Sequence, residues 1–180
     1  GEVTAYSNWG VTLAGYIVER ISGIPFYEYV DKNIFTPLGM EHSALNADLS
    51  DNLWVKQQRK RLECYTADGT LIPECMIYFS MYPAGMCIST PEDFTAFGRA
   101  LLNRESPLFR EPATYDAFLK PSAYFGDTDI SLNHHGMWAI RMYGATVIGH
   151  GGNTAGCSSY LLLDVENGVG MTVMTNQAGE

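Results

Sequence analysis

The chain of 180 residues has little positive charge and lacks any long apolar run. It carries 11 basic against 20 acidic residues, a formal net charge of −9, which disfavours nucleic acid or another polyanion as a partner. Its one basic cluster is predicted to be a solvated helix face or loop, with anion binding as the alternative: Lys56, Arg59, Lys60 and Arg61. No apolar stretch approaches the roughly 20 residues that span a bilayer.

The four cysteines show no C-x-x-C spacing, so the sequence gives no support for a zinc or thioredoxin-type site. Cys64 and Cys75 flank a predicted turn at residues 67–70 and could lie side by side, but their spacing leaves the oxidation state open. A metal site could be built from His134, His135 and His150, although their spacing matches no known zinc motif. We therefore expect no metal and no other cofactor.

Helical signals dominate the first two-thirds of the chain. Five apolar residues recur at 3.6-residue spacing and predict one face of a first helix: Val11, Ala14, Ile17, Val18 and Ile21. Ser7 or Asn8 is predicted to cap its start, and Gly23 its end. Further along, Thr90 and Pro91 are typical of a helix start, and a helix after them is predicted to bury Phe94, Phe97, Leu101 and Leu102.

Strand signals fill the last third. Asn167-Gly168 is a tight-turn dipeptide between apolar runs at 160–163 and 169–174, which predicts a hairpin of buried strands deep in a sheet. A third strand is predicted at 145–150, ending before Gly151 and Gly152, and another at 136–140. Segregation of helices and strands predicts an α+β fold in one domain, mostly helical over 1–135 and made of antiparallel strands over 136–180.

His150 followed by two glycines at the end of a strand is a candidate substrate-holding element. Gly151 and Gly152 carry no Cβ, so a ligand or another backbone segment can approach them closely. The spacing alone leaves open the alternative of a glycine-rich loop with a solvated histidine.

Several blocks of the sequence are similar to one known family. They are YSNWG, LAGYIVE and IFTPLGM near the start, YPAG and STPEDF in the middle, and the segment from GHGG to Asn176 near the end. In this order they resemble the serine β-lactamase and penicillin-binding-protein superfamily, in its class C-like, esterase-containing branch. The resemblance implies a β-lactamase-like α/β/α sandwich and a location outside the cytoplasm, where acylating members of the family usually work.

The resemblance also assigns roles to individual residues. Tyr6 and Asn8 match the Tyr-x-Asn motif, which supplies a proton-transfer tyrosine and an orienting asparagine. His150 and Gly152 match the strand motif that closes the site, with Gly151 between them. The backbone N–H of Asn153 is a candidate oxyanion donor. The catalytic set is therefore Tyr6, Asn8 and His150, and the substrate-binding set is Gly151, Gly152 and Asn153.

The family's Ser-x-x-Lys motif is missing. No serine of this chain is followed three residues later by lysine, and no Gly-x-Ser-x-Gly element occurs. Since that motif precedes Tyr-x-Asn in the family, we expect the chain to be the C-terminal part of a longer serine hydrolase and to be inactive alone. The alternative is a non-catalytic family member that binds cell-wall peptide or a protein partner.

Substrates and assembly follow from the same comparison. The resemblance implies amide or ester substrates: a β-lactam, a D-amino-acid peptide or a simple ester. Because strong β-lactam binders commonly place lysine and threonine where this chain has His150 and Gly151, we expect a weak β-lactamase.

The strand at Val169–Thr175 is expected to lack its family pairing partner and to expose an edge through which the chain could self-associate.

Overall fold

The computed structural model describes residues 4–75, 81–104 and 107–179. The helices are α1 (Asn8–Ser22), α2 (Phe26–Val30), α3 (Thr36–Leu38), α4 (Leu53–Arg59), α5 (Pro91–Asn103) and α6 (Pro112–Leu119), with a π-helical turn at Asp31–Phe35 and a 3₁₀ turn at Tyr82–Ala84. The strands are β1 (Cys64–Tyr65), β2 (Leu71–Ile72), β3 (Ala123–Tyr124), β4 (Ser131–His134), β5 (Met137–Met142), β6 (Ala145–Thr154), β7 (Cys157–Asp164) and β8 (Val169–Thr175). Within those ranges, no helix has both the length and the apolar character needed to cross a membrane.

The predicted α+β class is confirmed. Strands β3 to β8 form a six-stranded antiparallel sheet in chain order, and β1 and β2 form a separate hairpin. Strands β3 and β4 precede residue 136, so the sheet starts earlier in the chain than the predicted strand region. Helix α5 packs on one face of the sheet, where Leu101 joins Leu161 and Leu163 in the core.

The predicted helix ends are confirmed at α1 and α5. Ser7 accepts a hydrogen bond from the Gly10 N–H at 3.0 Å, and Gly23 closes the helix in the left-handed conformation, with φ of 75°. Thr90 accepts from the Asp93 N–H at the start of α5, with Pro91 in its first turn. These ends depend on local chemistry alone, because orphan N–H groups need acceptors and glycine adopts positive φ at low cost.

The apolar face predicted for α1 is largely exposed. Val11, Ile17 and Ile21 have 48%, 50% and 83% of their surface accessible, and Gly15 is the buried residue of the helix. The helix contacts α2 and the 3₁₀ turn with its other side, where Gly15 lies against Pro83. The helical spacing was therefore right, but the described residues leave this face uncovered.

The C-terminal hairpin forms as predicted, but it does not lie deep in the sheet. Gly168, with φ of 68°, belongs to the turn between β7 and β8, and β8 is an edge strand. Leu161 and Leu163 are buried, whereas Tyr160 is 42% exposed on the opposite face. The prediction of fully buried strands is wrong because the described helices cover one face of β7 and β8 and leave the alternate residues in solvent.

A partly buried hydrogen bond fixes α1 to the segment at Tyr82–Ala84. The Tyr82 hydroxyl donates to Glu19 Oε2 at 2.8 Å, and the same oxygen accepts from the Phe26 N–H at 3.1 Å. Burial, and then the hydrogen bond to Glu19, raise the pKa of Tyr82 to about 12. Tyr82 therefore remains a neutral donor at physiological pH and holds the C-terminal half of α1 in place.

The small hairpin β1–β2 confirms the turn predicted around Asp68-Gly69, and Cys64 and Cys75 form a disulfide. The Tyr65 N–H donates to the Asn176 carbonyl and the Ala178 N–H donates to the Tyr65 carbonyl, both at 2.9 Å. The hairpin is thus hydrogen-bonded to the chain segment that follows β8.

Candidate active site

Tyr6 and Asn8 lie at the start of α1, where the helix cap turns the chain. The Tyr6 hydroxyl donates a hydrogen bond to Asn8 Oδ1 at 2.6 Å, while Ser7 between them caps the helix. The side chain of Tyr6 is 56% exposed. The cap therefore places the phenol and the amide side by side on an accessible surface, as the Tyr-x-Asn motif requires.

His150 reaches the same place from the middle of the sheet. Its ring centroid lies 5.8 Å from that of Tyr6, with an angle of 40° between the ring planes. Nδ1 of His150 is 2.6 Å from the Gly151 carbonyl oxygen. Because a carbonyl oxygen only accepts, Nδ1 carries the hydrogen, and in the neutral ring Nε2 keeps its lone pair. The histidine ring thus lies beside the tyrosine ring, with Nδ1 held by the Gly151 carbonyl.

The strand carrying His150 is longer than predicted. It was expected to end at His150, but β6 runs to Thr154, with Gly151 opposite Tyr160 and Gly152 opposite Ser159 in β7. The glycine pair is therefore part of a regular ladder and not a loop, which removes the alternative of a solvated histidine in a glycine-rich loop. Asn153 follows in the same strand and its side chain is exposed. Its N–H as an oxyanion donor remains a prediction.

Gly151 serves to admit the ring of Tyr160. A Cβ on Gly151 would lie 2.6 Å from Cε1 and 2.7 Å from Cζ of Tyr160, much closer than atoms can pack. A side chain at residue 151 therefore requires the ring of Tyr160, the outer part of a 42% exposed side chain, to shift. Sequence reasoning missed Tyr160 by taking it as part of a buried run. The two-residue periodicity of a strand, which separates Tyr160 from buried Leu161, is the signal that could have found it.

The histidines considered as metal ligands do not come together. His134 Nδ1 lies 2.7 Å from the Leu119 carbonyl oxygen, and His135 Nδ1 lies 3.1 Å from that of Phe118. Both rings therefore donate to carbonyl groups at the end of α6. Among residues 4–75, 81–104 and 107–179, no group of three or more His, Cys, Asp or Glu side chains is placed to hold a metal ion.

The basic cluster is largely structural. Arg59 Nη2 donates to the Cys75 carbonyl at 2.6 Å, and Lys56 Nζ lies 3.9 Å from an Asp48 carboxylate oxygen. Both residues belong to α4. These contacts favour the interpretation of the cluster as a helix face.

The site combines a Tyr-x-Asn element at a helix start with a His-x-Gly element on an adjoining strand. A family model that matches the whole sequence agrees with this combination. The model is described as beta-lactamase and matches residues 1–180. The chain belongs to the beta-lactamase family. The superfamily resemblance seen in the sequence motifs is thereby confirmed. A comparison with curated protein sequences finds no match.

Solved structures of the superfamily share the fold. A D-amino acid amidase from Ochrobactrum anthropi is 26% identical, with a TM-score of 0.76 over 97% of this chain and 50% of its own. A penicillin-binding protein from Bacillus halodurans is 25% identical, with a TM-score of 0.74 over 100% of this chain and 54% of its own. An octameric penicillin-binding protein homologue from Pyrococcus abyssi, 20% identical, has a TM-score of 0.78 over 100% and 40%. This beta-lactamase-family chain thus spans about half the length of these structures or less.

Proposed function

We propose that the chain is the C-terminal part of a serine hydrolase that acts on amide or ester substrates through an acyl-enzyme, and that it is inactive by itself. The observation that carries this proposal is the convergence of Tyr6, Asn8 and His150. These residues come from opposite ends of the sequence and meet on an accessible surface, with a 2.6 Å hydrogen bond and a 5.8 Å ring contact.

In this mechanism the nucleophile is a serine hydroxyl supplied from outside the 180 residues. The step requires Tyr6 as the phenolate. The serine oxygen attacks the carbonyl carbon as the serine proton passes to this phenolate, and the resulting phenol protonates the leaving amine or alkoxide. Water then releases the acyl group by the same transfers, which return Tyr6 to the phenolate. Asn8 accepts from the Tyr6 hydroxyl through Oδ1, so its amide N–H₂ is free to donate to a substrate carbonyl. The ring of His150 lies beside that of Tyr6, with 5.8 Å between the ring centroids.

Among the possible substrates we favour D-amino-acid amides, peptides and simple esters over β-lactams. The resemblance to a D-amino acid amidase at 26% identity supports this class. The site also lacks a fixed cation beside the strand, since His150 stands where strong β-lactam binders commonly carry lysine. Gly151 supplies no hydroxyl, and the exposed ring of Tyr160 would have to shift to admit a threonine there.

Introducing lysine and threonine at residues 150 and 151 of the full-length protein is expected to raise penicillin acylation relative to ester hydrolysis, and to raise it further if Tyr160 is reduced as well. A hydrogen bond to a charged carboxylate contributes roughly 1.5–3 kcal/mol, or about one to two decades in affinity. We therefore expect a gain of about that size for His150→Lys, Gly151→Thr and Tyr160→Ser combined. Acylation rates with a labelled penicillin and a p-nitrophenyl ester measure the ratio.

The matched controls are Tyr160→Ser alone, which should leave the ratio unchanged, and the double replacement without Tyr160→Ser, which should gain less than the triple one. This account of the site is wrong if the unmodified full-length protein hydrolyses a cephalosporin faster than the ester at neutral pH. Binding of cell-wall peptide without any turnover would favour the non-catalytic alternative.

The chain alone is expected to self-associate through β8. This strand lies at the edge of the sheet, and Val169, Met171 and Val173 are 62%, 49% and 45% exposed. An exposed apolar edge pairs readily with another strand. We expect Met171→Lys to reduce association in light scattering, whereas Tyr143→Lys, at a fully exposed turn, should not. A monodisperse monomer whose β8 amides exchange slowly would contradict the prediction.

We also propose that the full-length protein works outside the cytoplasm. The Cys64–Cys75 disulfide supports this location, because disulfides persist mainly in oxidising compartments.

A further inference from the structure

Three sulfur atoms meet where the small hairpin contacts the main sheet. Cys64 and Cys75 form the disulfide, and the Sγ of Cys157, which is outside the disulfide, lies 3.5 Å from the Sγ of Cys64. Cys64 has no exposed surface, whereas Cys157 is partly accessible. Cys64 is therefore the central sulfur, with a bonded partner on one side and a free thiol in contact on the other.

The backbone holds these sulfurs together. Gly156, with φ of 84°, forms the turn between β6 and β7, and a Cβ at this position would lie 2.6 Å from the Cβ of Cys64. The absence of that Cβ lets the turn rest directly on β1. The paired backbone hydrogen bonds of Tyr65 to the segment after β8 fix the hairpin from the other side. The contact between Cys64 and Cys157 is thus a consequence of the fold and not of loose side chains.

The third sulfur has a cation beside it. Arg59 Nη1 lies 3.5 Å from the Sγ of Cys75, and Nη2 of the same guanidinium donates to the Cys75 carbonyl at 2.6 Å. The second bond fixes the orientation of the guanidinium. A neighbouring arginine favours a thiolate over a thiol and so makes Cys75 a better leaving group. Cys75 is 7% exposed and lines a surface groove together with Arg59, Lys60 and Leu62.

We propose that Cys64, Cys75 and Cys157 form a thiol–disulfide exchange site with two disulfide isomers. The thiolate of Cys157, having lost its proton to water, attacks the Sγ of Cys64. The new Cys64–Cys157 bond forms as the Cys64–Cys75 bond breaks, and Cys75 leaves as a thiolate beside Arg59. One disulfide and one free thiol are present before and after the step, so the exchange needs no external oxidant or reductant.

The two isomers restrain the chain differently. The Cys64–Cys75 bond joins residues 11 apart, within the region of the small hairpin, whereas a Cys64–Cys157 bond joins residues 93 apart. The second bond ties β1 to the first residue of β7, which pairs with Thr154 at the end of β6. Because a larger loop restricts the unfolded chain more strongly, the second isomer should unfold at a higher temperature. The exchange therefore decides whether the chain just after the candidate site strand is tied covalently to β1.

Peptide mapping of the 180-residue chain tests this proposal. Trypsin leaves Cys64, Cys75 and Cys87 in a peptide covering 62–99 and Cys157 in one covering 142–180, and cleavage after Glu63 and Glu74 then separates Cys64 from the other two. The chain is incubated without added thiol, blocked with N-ethylmaleimide and purified as the monomer band before digestion. We expect a cross-link between Cys64 and Cys157 that forms faster at higher pH, because the thiolate is the species that attacks a disulfide.

Two variants and one internal control distinguish exchange at this site from general disulfide scrambling. Cys157→Ser should lose the cross-linked peptide and retain only the Cys64–Cys75 bond. Cys75→Ser should form the Cys64–Cys157 bond alone under mild oxidation. Exposed Cys87 should stay fully alkylated throughout.

The proposal is overturned if Cys157 of the unmodified chain is fully alkylated at every time point and the Cys75→Ser chain forms no disulfide. Cross-links that include Cys87 would also overturn it, because they would show general scrambling and not exchange at this site.

Discussion

Replacing Tyr6 by phenylalanine in the full-length protein is expected to lower kcat for ester or amide hydrolysis by about 10²- to 10⁴-fold, the usual contribution of a positioned proton-transfer group. The fold should not change, because Tyr6 is 56% exposed and its hydroxyl bonds to Asn8 at the surface. If the phenol acts only in the transition state, kcat and kcat/KM should fall together and KM should stay constant. Steady-state kinetics with a p-nitrophenyl ester measure both parameters.

Tyr16→Phe is the matched control for this loss. Tyr16 lies in α1, is 54% exposed and is assigned no role in the site, so its replacement should leave kcat unchanged. If Tyr6→Phe retains kcat within a factor of about 2, Tyr6 is not the proton-transfer residue. A loss of the same size in Tyr16→Phe would instead indicate a general disturbance of α1.

Gly149→Ala is expected to destabilise the chain by about 3 kcal/mol or more, at the upper end of overpacking effects. Gly149 is buried in β6, between Trp138 of β5 and Leu162 of β7. A Cβ there would overlap the carbonyl oxygen of Leu161 and lie 3.0 Å from its carbonyl carbon. Since these are backbone atoms of the adjoining strand, relief requires the strands to separate. Urea unfolding followed by circular dichroism measures the loss.

Gly152→Ala, on the same strand, is the control. A Cβ at Gly152 would meet only the Oγ of Ser159, at 3.0 Å, and a hydroxyl can rotate away. We expect a change below about 1 kcal/mol for this variant. Equal urea midpoints for the two alanine variants would show that β6 and β7 do not approach each other as described at Gly149.

Sequence reasoning succeeded where local chemistry decides the structure. Ser7 and Gly23 at the ends of α1, Thr90 at the start of α5, and Gly168 in the turn after β7 all occupy the predicted positions. Each position is determined by the need of a backbone group for a partner, or by the ability of glycine to adopt positive φ. Such requirements act within a few residues, so a single sequence is enough to predict them.

Sequence reasoning failed to predict the burial of side chains, because burial depends on which other elements cover a surface. The spacing of Val11, Ile17 and Ile21 correctly predicts a helix but not that this face would be exposed. The same applies to Tyr160, which is exposed although Leu161 beside it in the chain is buried. Burial depends on distant elements, and the described residues leave one face of the sheet open beside β7 and β8.

The candidate site includes features that the sequence predicts and one that it does not. Tyr6, Asn8 and His150 could be named from their motif resemblance, and the structure brings them together. The competition between a side chain at Gly151 and the ring of Tyr160 could not be predicted, because it depends on the register between β6 and β7. Register depends on pairing between residues that are not neighbours in the sequence, and a shift of one residue changes which side chains share a face of the sheet.

The most direct test of the central claim is the intact mass of the chain after exposure to a fluorophosphonate and to a labelled penicillin, beside the full-length protein. The claim is that these 180 residues supply Tyr6, Asn8 and His150 to an acyl-enzyme hydrolase whose nucleophile lies elsewhere. We predict no adduct on the isolated chain and one stoichiometric adduct on the full-length protein, at a serine outside the chain. A stoichiometric adduct mapped to Ser7, Ser89 or Ser158 of the isolated chain would contradict the account.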